Sequence, residues 1–153
     1  HVIAGKAVAF KEALQPSYKE YCKQIISNAS TLASAMIDLG YKLISDGTDT
    51  HLVLIDLSDK NITGKLAESK LEKAGITTNK NMIPYDEKSP FITSGIRIGT
   101  PALTTRGMKN NEMLIIAELI DRVLSNIDNE SVIAEVNKRV RGLCLSFKLY
   151  ENF

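Results

Sequence analysis

Apolar residues recur every three or four positions in several parts of the chain, a pattern typical of helices that bury one face. The clearest example runs from Tyr18 to Leu39, with Pro16 suited to the first helical turn and Gly40 to a left-handed cap. Thr63 and Gly75 are suited to begin and end a second helix. The chain thus predicts helices over 2–14, 18–39, 63–74, 113–127 and 132–147.

Short runs of β-branched and aromatic residues lie between these helices and predict four strands. They cover 41–45, 51–57, 76–78 and 91–98, with a turn predicted at Asp46-Gly47 and another at the Gly-Thr-Pro sequence that follows the last strand. The run 51–57 is almost continuously apolar, so we expect its strand to be buried on both faces. The order of elements predicts an α/β fold, a two-layer sandwich in which helices cover a small, mostly antiparallel or mixed sheet largely on one face. Residues 1–153 are expected to form a single domain.

Composition narrows the function classes. The 153 residues carry a net charge of +1, which gives no basic footprint for nucleic acid or an anionic membrane surface. No apolar run approaches the ~20 residues of a membrane helix. Cys22 and Cys144 lie on apolar helix faces, which favours core packing in a reducing, cytoplasmic compartment over a disulfide. Because the chain starts at His1 without Met or a signal peptide, we expect it to be cut from a larger protein.

Arg97 is the first candidate for binding chemistry. Alternation along the strand places Ile96 and Ile98 on one face and Arg97 on the other, while Gly95 and Gly99 leave space around it. A guanidinium in that position offers a fork of donors that can bind a carboxylate or phosphate in a bidentate manner. The alternative is a solvated strand arginine in a weak surface ion pair.

The segment 79–90 is the second candidate. It holds Asn79, Lys80, Asn81 and two prolines, and we expect a mobile polar loop that can display binding groups. The asparagine amides could form hydrogen bonds with the edge of a heterocycle or could simply cap turns.

His51 could be an acid–base group or could fix the strand entrance through hydrogen bonds. The chain lacks a P-loop, a GxGxxG fingerprint and an HExxH motif, so a self-contained acid–base enzyme is not indicated.

Three blocks, in order and at matching spacing, resemble the C-terminal third of serine hydroxymethyltransferases. They are HVIAGKAVAF, LGYKLISDGTDTHLVLIDL, and TGKLAESKLEKAGITTNKNMIPYDEKSPFITSGIRIGTPALTTRGM. The resemblance implies the small C-terminal domain of a fold-type I pyridoxal-phosphate enzyme, with helix 1–15 connecting to a large cofactor domain. It implies an activity that interconverts serine and glycine and transfers a one-carbon unit to tetrahydrofolate. A homodimer is implied for the full-length enzyme.

The resemblance also implies roles for particular residues. Arg97 would bind the amino-acid carboxylate, Asn81 would contact the folate, and Ser89, Pro90 and Phe91 would lie close by. The family's Schiff-base lysine lies in a threonine-rich stretch that is absent from residues 1–153. We therefore expect no catalytic residue in this chain, no bound pyridoxal phosphate and no activity of the chain alone.

Some positions depart from the family pattern. The family commonly has the sequence TDNH, and Thr50 replaces its asparagine here, which could change the hydrogen bonding of His51. Gly5 and Met108 also differ from the usual residues and suggest changes in packing. Arg106 could be a second cation near the site, although a structural role is favoured. Two alternatives remain open: a stand-alone α/β module that binds amino acids or regulates a partner, and a structural domain that assembles a dimer.

Overall fold

The computed structural model describes residues 1–149 and contains a four-stranded sheet with helices packed against it. The strands occur in the order β1-β2-β4-β3, and every neighbouring pair is antiparallel. They are β1 (Lys42–Leu43), β2 (Leu52–Asp56), β3 (Asn79–Asn81) and β4 (Gly95–Gly99). The helices are α1 (Val2–Ala13), α2 (Pro16–Asp38), α3 (Gly64–Lys73), α4 (Pro101–Thr105), α5 (Asn110–Leu124) and α6 (Glu130–Ser146). The predicted two-layer α/β sandwich is confirmed, and its sheet is antiparallel.

One face of the central strands forms the floor of the core. Val53 and Ile55 of β2 and Ile96 and Ile98 of β4 are buried and belong to the same hydrophobic cluster as residues of α2, α3 and α5. Alternation sends Arg97 to the opposite face, where it is exposed, as predicted. The sheet therefore has one face covered by helices and one face that is open.

This open face corrects the prediction that β2 is buried on both sides. Leu52 and Leu54 are half-buried, while Val53 and Ile55 between them are fully buried. An almost continuous apolar run does not distinguish a strand between two helical layers from one that borders a groove. Leu54 and Arg97 form a register pair across β2 and β4, so the leucine shares the open face with the arginine.

Two of the predicted strands are displaced along the chain. The strand expected at 76–78 occurs at Asn79–Asn81, because the end of α3 occupies the preceding residues: Ile76 N donates to Leu71 O at 2.9 Å after Gly75, which has φ +82°. The strand expected from Phe91 begins at Gly95, because Ser89 O accepts from the N–H of Ile92 and of Thr93, forming a turn. Residues 79–81 were therefore wrongly assigned to a loop.

Other boundaries follow local chemistry. Strand β1 ends at Leu43, two residues earlier than predicted, because Ser45 and Asp46 have φ 65° and 52° in the left-handed region. Thr63 caps α3 by accepting a hydrogen bond from Leu66 N at 3.2 Å, as expected. The turn predicted after β4 continues as the short helix α4, with Pro101 at its first position.

The helices differ in how much they contribute to the core. Six residues of α2 are buried, whereas none of α1 is, and Ile3 and Phe10 are strongly exposed. Both cysteines are free thiols on half-buried positions. Within the described residues, no helix is both long enough and apolar enough to cross a membrane.

Candidate functional site

Arg97 lies beside a groove on the open face of the sheet, with a volume of about 770 Å³. Its side of the groove includes Leu52 and Leu54 of β2 and Asn81 of β3. Since Ile96 and Ile98 on either side of Arg97 are buried in the core, β4 is held firmly while the guanidinium remains exposed. The arginine is thus a cation on a rigid support, facing a space large enough for a small ligand.

The guanidinium of Arg97 has few partners among the described residues. Its Nη2 donates to Asn79 Oδ1 at 3.5 Å, at the upper limit of a hydrogen bond, and Asn79 is its register partner on β3. Within residues 1–149, no carboxylate forms an ion pair with Arg97. The alternative of a surface ion pair is therefore not supported, and most of the donors of this side chain remain available to an external anion.

Asn81 is brought to the same groove by the pairing of β3 with β4. It is the register partner of Gly95, which lies two positions before Arg97 on β4. Both Asn81 and Arg97 line the groove. Asn81 Nδ2 donates to Met82 O at 2.7 Å, and this contact orients the amide. The sequence-predicted pair of Arg97 and Asn81 thus lines one groove, although the strand that carries Asn81 was not predicted.

The opposite wall of the groove is the loop 44–50, whose role was not predicted. Thr48 fixes it, because its hydroxyl donates to Leu52 O at 2.7 Å and accepts from Thr50 N at 3.1 Å. The loop lines the groove with Asp46 and Asp49. The recognised Asp-Gly turn was a signal for a loop here, but the left-handed backbone that turns it toward Arg97 was not visible in the residue pattern.

The groove therefore carries charges of both signs. Arg97 can accept an anionic group as a ligand, while the carboxylates of Asp46 and Asp49 on the loop are suited to a cationic group. An amino acid carries both charges at neutral pH. The arrangement therefore fits a small zwitterion better than a simple anion.

Ser89, Pro90 and Phe91 lie outside the lining of this groove. Ser89 organises a turn: its carbonyl accepts from the N–H of Ile92 and of Thr93, and its hydroxyl accepts from Phe91 N at 3.2 Å. The Phe91 side chain is left 80% exposed. These three of the predicted folate-side residues thus lie on the surface and, unlike Asn81, do not share the groove of Arg97.

Asp86 holds the loop between β3 and β4 in shape. Its carboxylate accepts from the N–H of Ile83, Lys88 and Ser94 and from the Ser94 hydroxyl, the last at 2.7 Å. Desolvation acts to raise the pKa of this carboxyl, but the hydrogen bonds outweigh it and leave the pKa at about 2. The loop therefore has an internal anchor, and its expected mobility stays a prediction.

This anchor predicts a pH dependence. Because the pKa of Asp86 is lowered in the folded state, its stabilisation is present above the ordinary carboxyl pKa of about 4 and is lost as the pH falls toward 2. Amide exchange of residues 82–94, followed with the carboxyl carbon of Asp86 by NMR, should show the loop opening in that range. Asp86→Asn should open the loop at every pH, and a carboxyl that titrates near 4 would contradict this assignment.

The remaining candidates have structural contacts. The exposed His51 uses its backbone, since its carbonyl accepts from Thr100 N at 3.2 Å. Arg106 lies outside the groove and donates from Nη2 to Cys144 O at 3.1 Å, which joins the end of α4 to α6. Among residues 1–149, no group of three or more His, Cys, Asp or Glu side chains could hold a metal ion.

Buried polar contacts fix the segment that follows β4. Thr100 donates from Oγ1 to Ile25 O at 2.9 Å, and Asn28 donates from Nδ2 to Thr104 Oγ1 at 2.9 Å and to Met108 O at 3.0 Å. All three side chains that donate or accept here are buried. The strand that carries Arg97 is thereby tied to the longest helix of the domain.

A comparison with family models gives an independent result. A model described as serine hydroxymethyltransferase matches residues 1–120, which is most of the chain. The matched region includes the whole sheet, the groove with Arg97 and Asn81, and the helices α1 to α4. The chain therefore belongs to the serine hydroxymethyltransferase family.

Proposed function

We propose that this chain supplies the amino-acid carboxylate clamp and part of the folate site of a serine hydroxymethyltransferase. The family implies a pyridoxal-phosphate-dependent transferase that interconverts serine and glycine with tetrahydrofolate as the one-carbon acceptor. The observation that carries the proposal is the Arg97 guanidinium, which lies exposed on a rigid strand without a carboxylate partner in residues 1–149. Asn81 in the same groove supports it.

The work assigned to Arg97 is positioning. Two N–H groups of the guanidinium bind the two oxygens of the substrate carboxylate, so the amino acid is held at a fixed angle as well as at a fixed place. The neighbours Ile96 and Ile98 are buried in the core, so they hold β4 in place when the carboxylate binds. Asp46 and Asp49 on the facing loop disfavour a second anion in the groove.

The folate side of the proposal rests on different groups. Asn81 offers an amide oxygen that can accept from a heterocycle, since its Nδ2 is already engaged with Met82 O. Phe91 offers an exposed aromatic ring near the end of the same loop, next to Ser89 and Pro90. We assign these residues to the folate region, where an aromatic ring can stack against a planar ligand.

The groove does not fit the cofactor itself. Among residues 1–149, no lysine lines it, and the charged side chains that do are Arg97, Asp46 and Asp49. We therefore derive no step through pyridoxal phosphate. We propose that the Schiff-base lysine belongs to a large cofactor domain outside residues 1–153, that the complete enzyme is a cytoplasmic homodimer, and that the present chain is its small C-terminal domain.

The proposal predicts that the chain alone binds neither pyridoxal phosphate nor glycine. When pyridoxal phosphate is added at micromolar concentration, we expect no saturable visible absorption band beyond the background given by the surface lysines of the same chain unfolded in urea. Calorimetry with glycine or serine should show no heat of binding, because Arg97 provides only part of the site. A saturable band at micromolar cofactor would contradict the assignment.

The alternative function, a stand-alone amino-acid-binding or regulatory module, is favoured by the mixed charge of the groove. It predicts that glycine binds without any cofactor and that Arg97→Lys weakens this binding. Calorimetry on the chain and on this variant therefore separates the two proposals. Glycine binding that depends on Arg97 would favour the module, whereas no binding agrees with the enzyme domain.

A further inference from the structure

A second cavity lies on the helical side of the sheet, separate from the groove of Arg97. It has a volume of about 310 Å³ and is lined by β4, α4, α5, α6 and the segment 75–77. Ile98 and Gly99 of β4 border it, while Arg97 borders the groove on the other face. Most of its lining side chains are aliphatic, among them Leu103, Ile116, Ile120, Val140 and Leu143.

Arg106 gives this apolar cavity one charged group. Its Nη2 donates to Cys144 O at 3.1 Å, but its Nε is buried and has no hydrogen-bond partner among the described residues. A buried donor without an acceptor is destabilising, and this one belongs to a charged guanidinium. A bound molecule that accepts a hydrogen bond from Nε would therefore stabilise the guanidinium of Arg106.

The surroundings favour an anion as that acceptor. Among the residues that the structure describes, no aspartate or glutamate lines this cavity or the adjoining surface pocket, where Arg106 is joined by Arg141 and Lys148. Within residues 1–149, no carboxylate forms an ion pair with Arg106. Water is the competing occupant, but an ordered water needs several polar partners, and apart from Arg106 the lining offers few: Thr77, Cys144 and backbone groups.

We propose that the cavity is a binding site for an amphipathic monocarboxylate, such as a medium-chain fatty acid. The carboxylate accepts the hydrogen bond from Arg106 Nε, and the aliphatic tail fills the space between α5 and α6. The volume lies at the lower end of the range for small-molecule sites, which suits a single unbranched tail. The site is independent of the proposed amino-acid clamp, since it uses none of the groove residues.

The test compares three ligands with the same tail and different head groups, titrated into the 153-residue chain by calorimetry. We expect saturable binding of octanoate, at least tenfold weaker binding of octan-1-ol and no binding of octylammonium. Shortening the acid to hexanoate removes two methylenes and should weaken binding about tenfold. Equal binding of the acid and the alcohol would overturn the role of Arg106.

The two free cysteines give an internal control. Cys144 lines the cavity and Cys22 lies on α2, away from it, and both are half-buried. Octanoate should slow the alkylation of Cys144 severalfold, as followed by mass spectrometry, and should leave the rate at Cys22 unchanged. Parallel changes at both thiols, or at neither, would contradict binding in this cavity.

Substitution of the cation completes the test. Arg106→Met should reduce octanoate binding to that of octan-1-ol, whereas Arg139→Met, on the exposed surface of α6, should leave it unchanged. If Arg106→Met fails to fold, the head-group preference and the Cys144 protection of the unmodified chain still decide. The absence of saturable octanoate binding would leave water as the sole occupant and would overturn the proposal.

Discussion

Replacing Arg97 with lysine is expected to lower kcat/KM for serine by roughly two to three orders of magnitude in the serine hydroxymethyltransferase to which we assign this chain. Lysine keeps the positive charge but loses the planar fork, so the substrate carboxylate would be attracted without being held at a fixed angle. Steady-state kinetics should show a lower kcat and a higher KM, because positioning and binding depend on the same contact.

Two controls make this result specific to the site. Arg122→Lys alters a surface arginine that pairs with Glu135 at 2.7 Å, and it should change kcat/KM by less than about twofold. Arg97→Lys itself should leave the thermal unfolding temperature of the chain almost unchanged, because the side chain is exposed and makes a single long hydrogen bond. Unchanged kinetics in Arg97→Lys would refute the carboxylate clamp.

A large effect on folding is expected for Gly95→Ala. A Cβ at this position would lie 2.7 Å from Ile55 O and 2.8 Å from the Cγ2 of Ile83, so the central strands would have to move apart. We expect the free energy of unfolding to fall by about 2–3 kcal/mol, the cost of forcing an extra group into a packed interior. Urea unfolding followed by circular dichroism measures this change.

Gly142→Ala is the matched control for that experiment. Gly142 lies within α6, and a Cβ added there would meet nothing within 4 Å. Since alanine has a higher helix propensity than glycine, the variant should be stabilised by up to about 1 kcal/mol. Similar unfolding free energies for the two variants would mean that Gly95 is not constrained by close packing.

Local pattern was sufficient where one face of an element is buried. The apolar spacing of α2, α5 and α6 predicted those helices, and the alternation of Ile96, Arg97 and Ile98 predicted the direction of the arginine. In these cases the spacing of apolar residues matches the repeat of the element, so the spacing predicts both the type of element and the face on which each side chain lies. The family resemblance is confirmed by the match over residues 1–120.

Local pattern was insufficient where distant residues determine the backbone. The polar strand Asn79–Asn81 is held by its pairing with β4 and by Glu68, whose Oε1 accepts from Lys80 N at 2.9 Å. The β-branched residues just before it, 76–78, form no strand. No property of three polar residues predicts such long-range partners, so β3 was missed and Asn81 was assigned to a loop.

The same reason applies to the acidic side of the groove. The turn at Asp46-Gly47 was recognised, but its direction depends on left-handed backbone at Ser45 and Asp46, which are not glycine. Whether a non-glycine residue adopts that conformation is decided by the surrounding contacts, here those of Thr48 with Leu52 and Thr50. A pattern of residue types does not contain this information.

The alternation of side chains in β4 also determines what a register error would do to the molecule. If β4 paired with β2 one residue out of register, the guanidinium of Arg97 would enter the core, and Ile96 and Ile98 would face water. Such a chain would lose most of its stability, so it would unfold or be degraded instead of persisting with a misdirected arginine. Folding and the orientation of Arg97 are therefore one event, and every correctly folded molecule presents this guanidinium on the open face of the sheet.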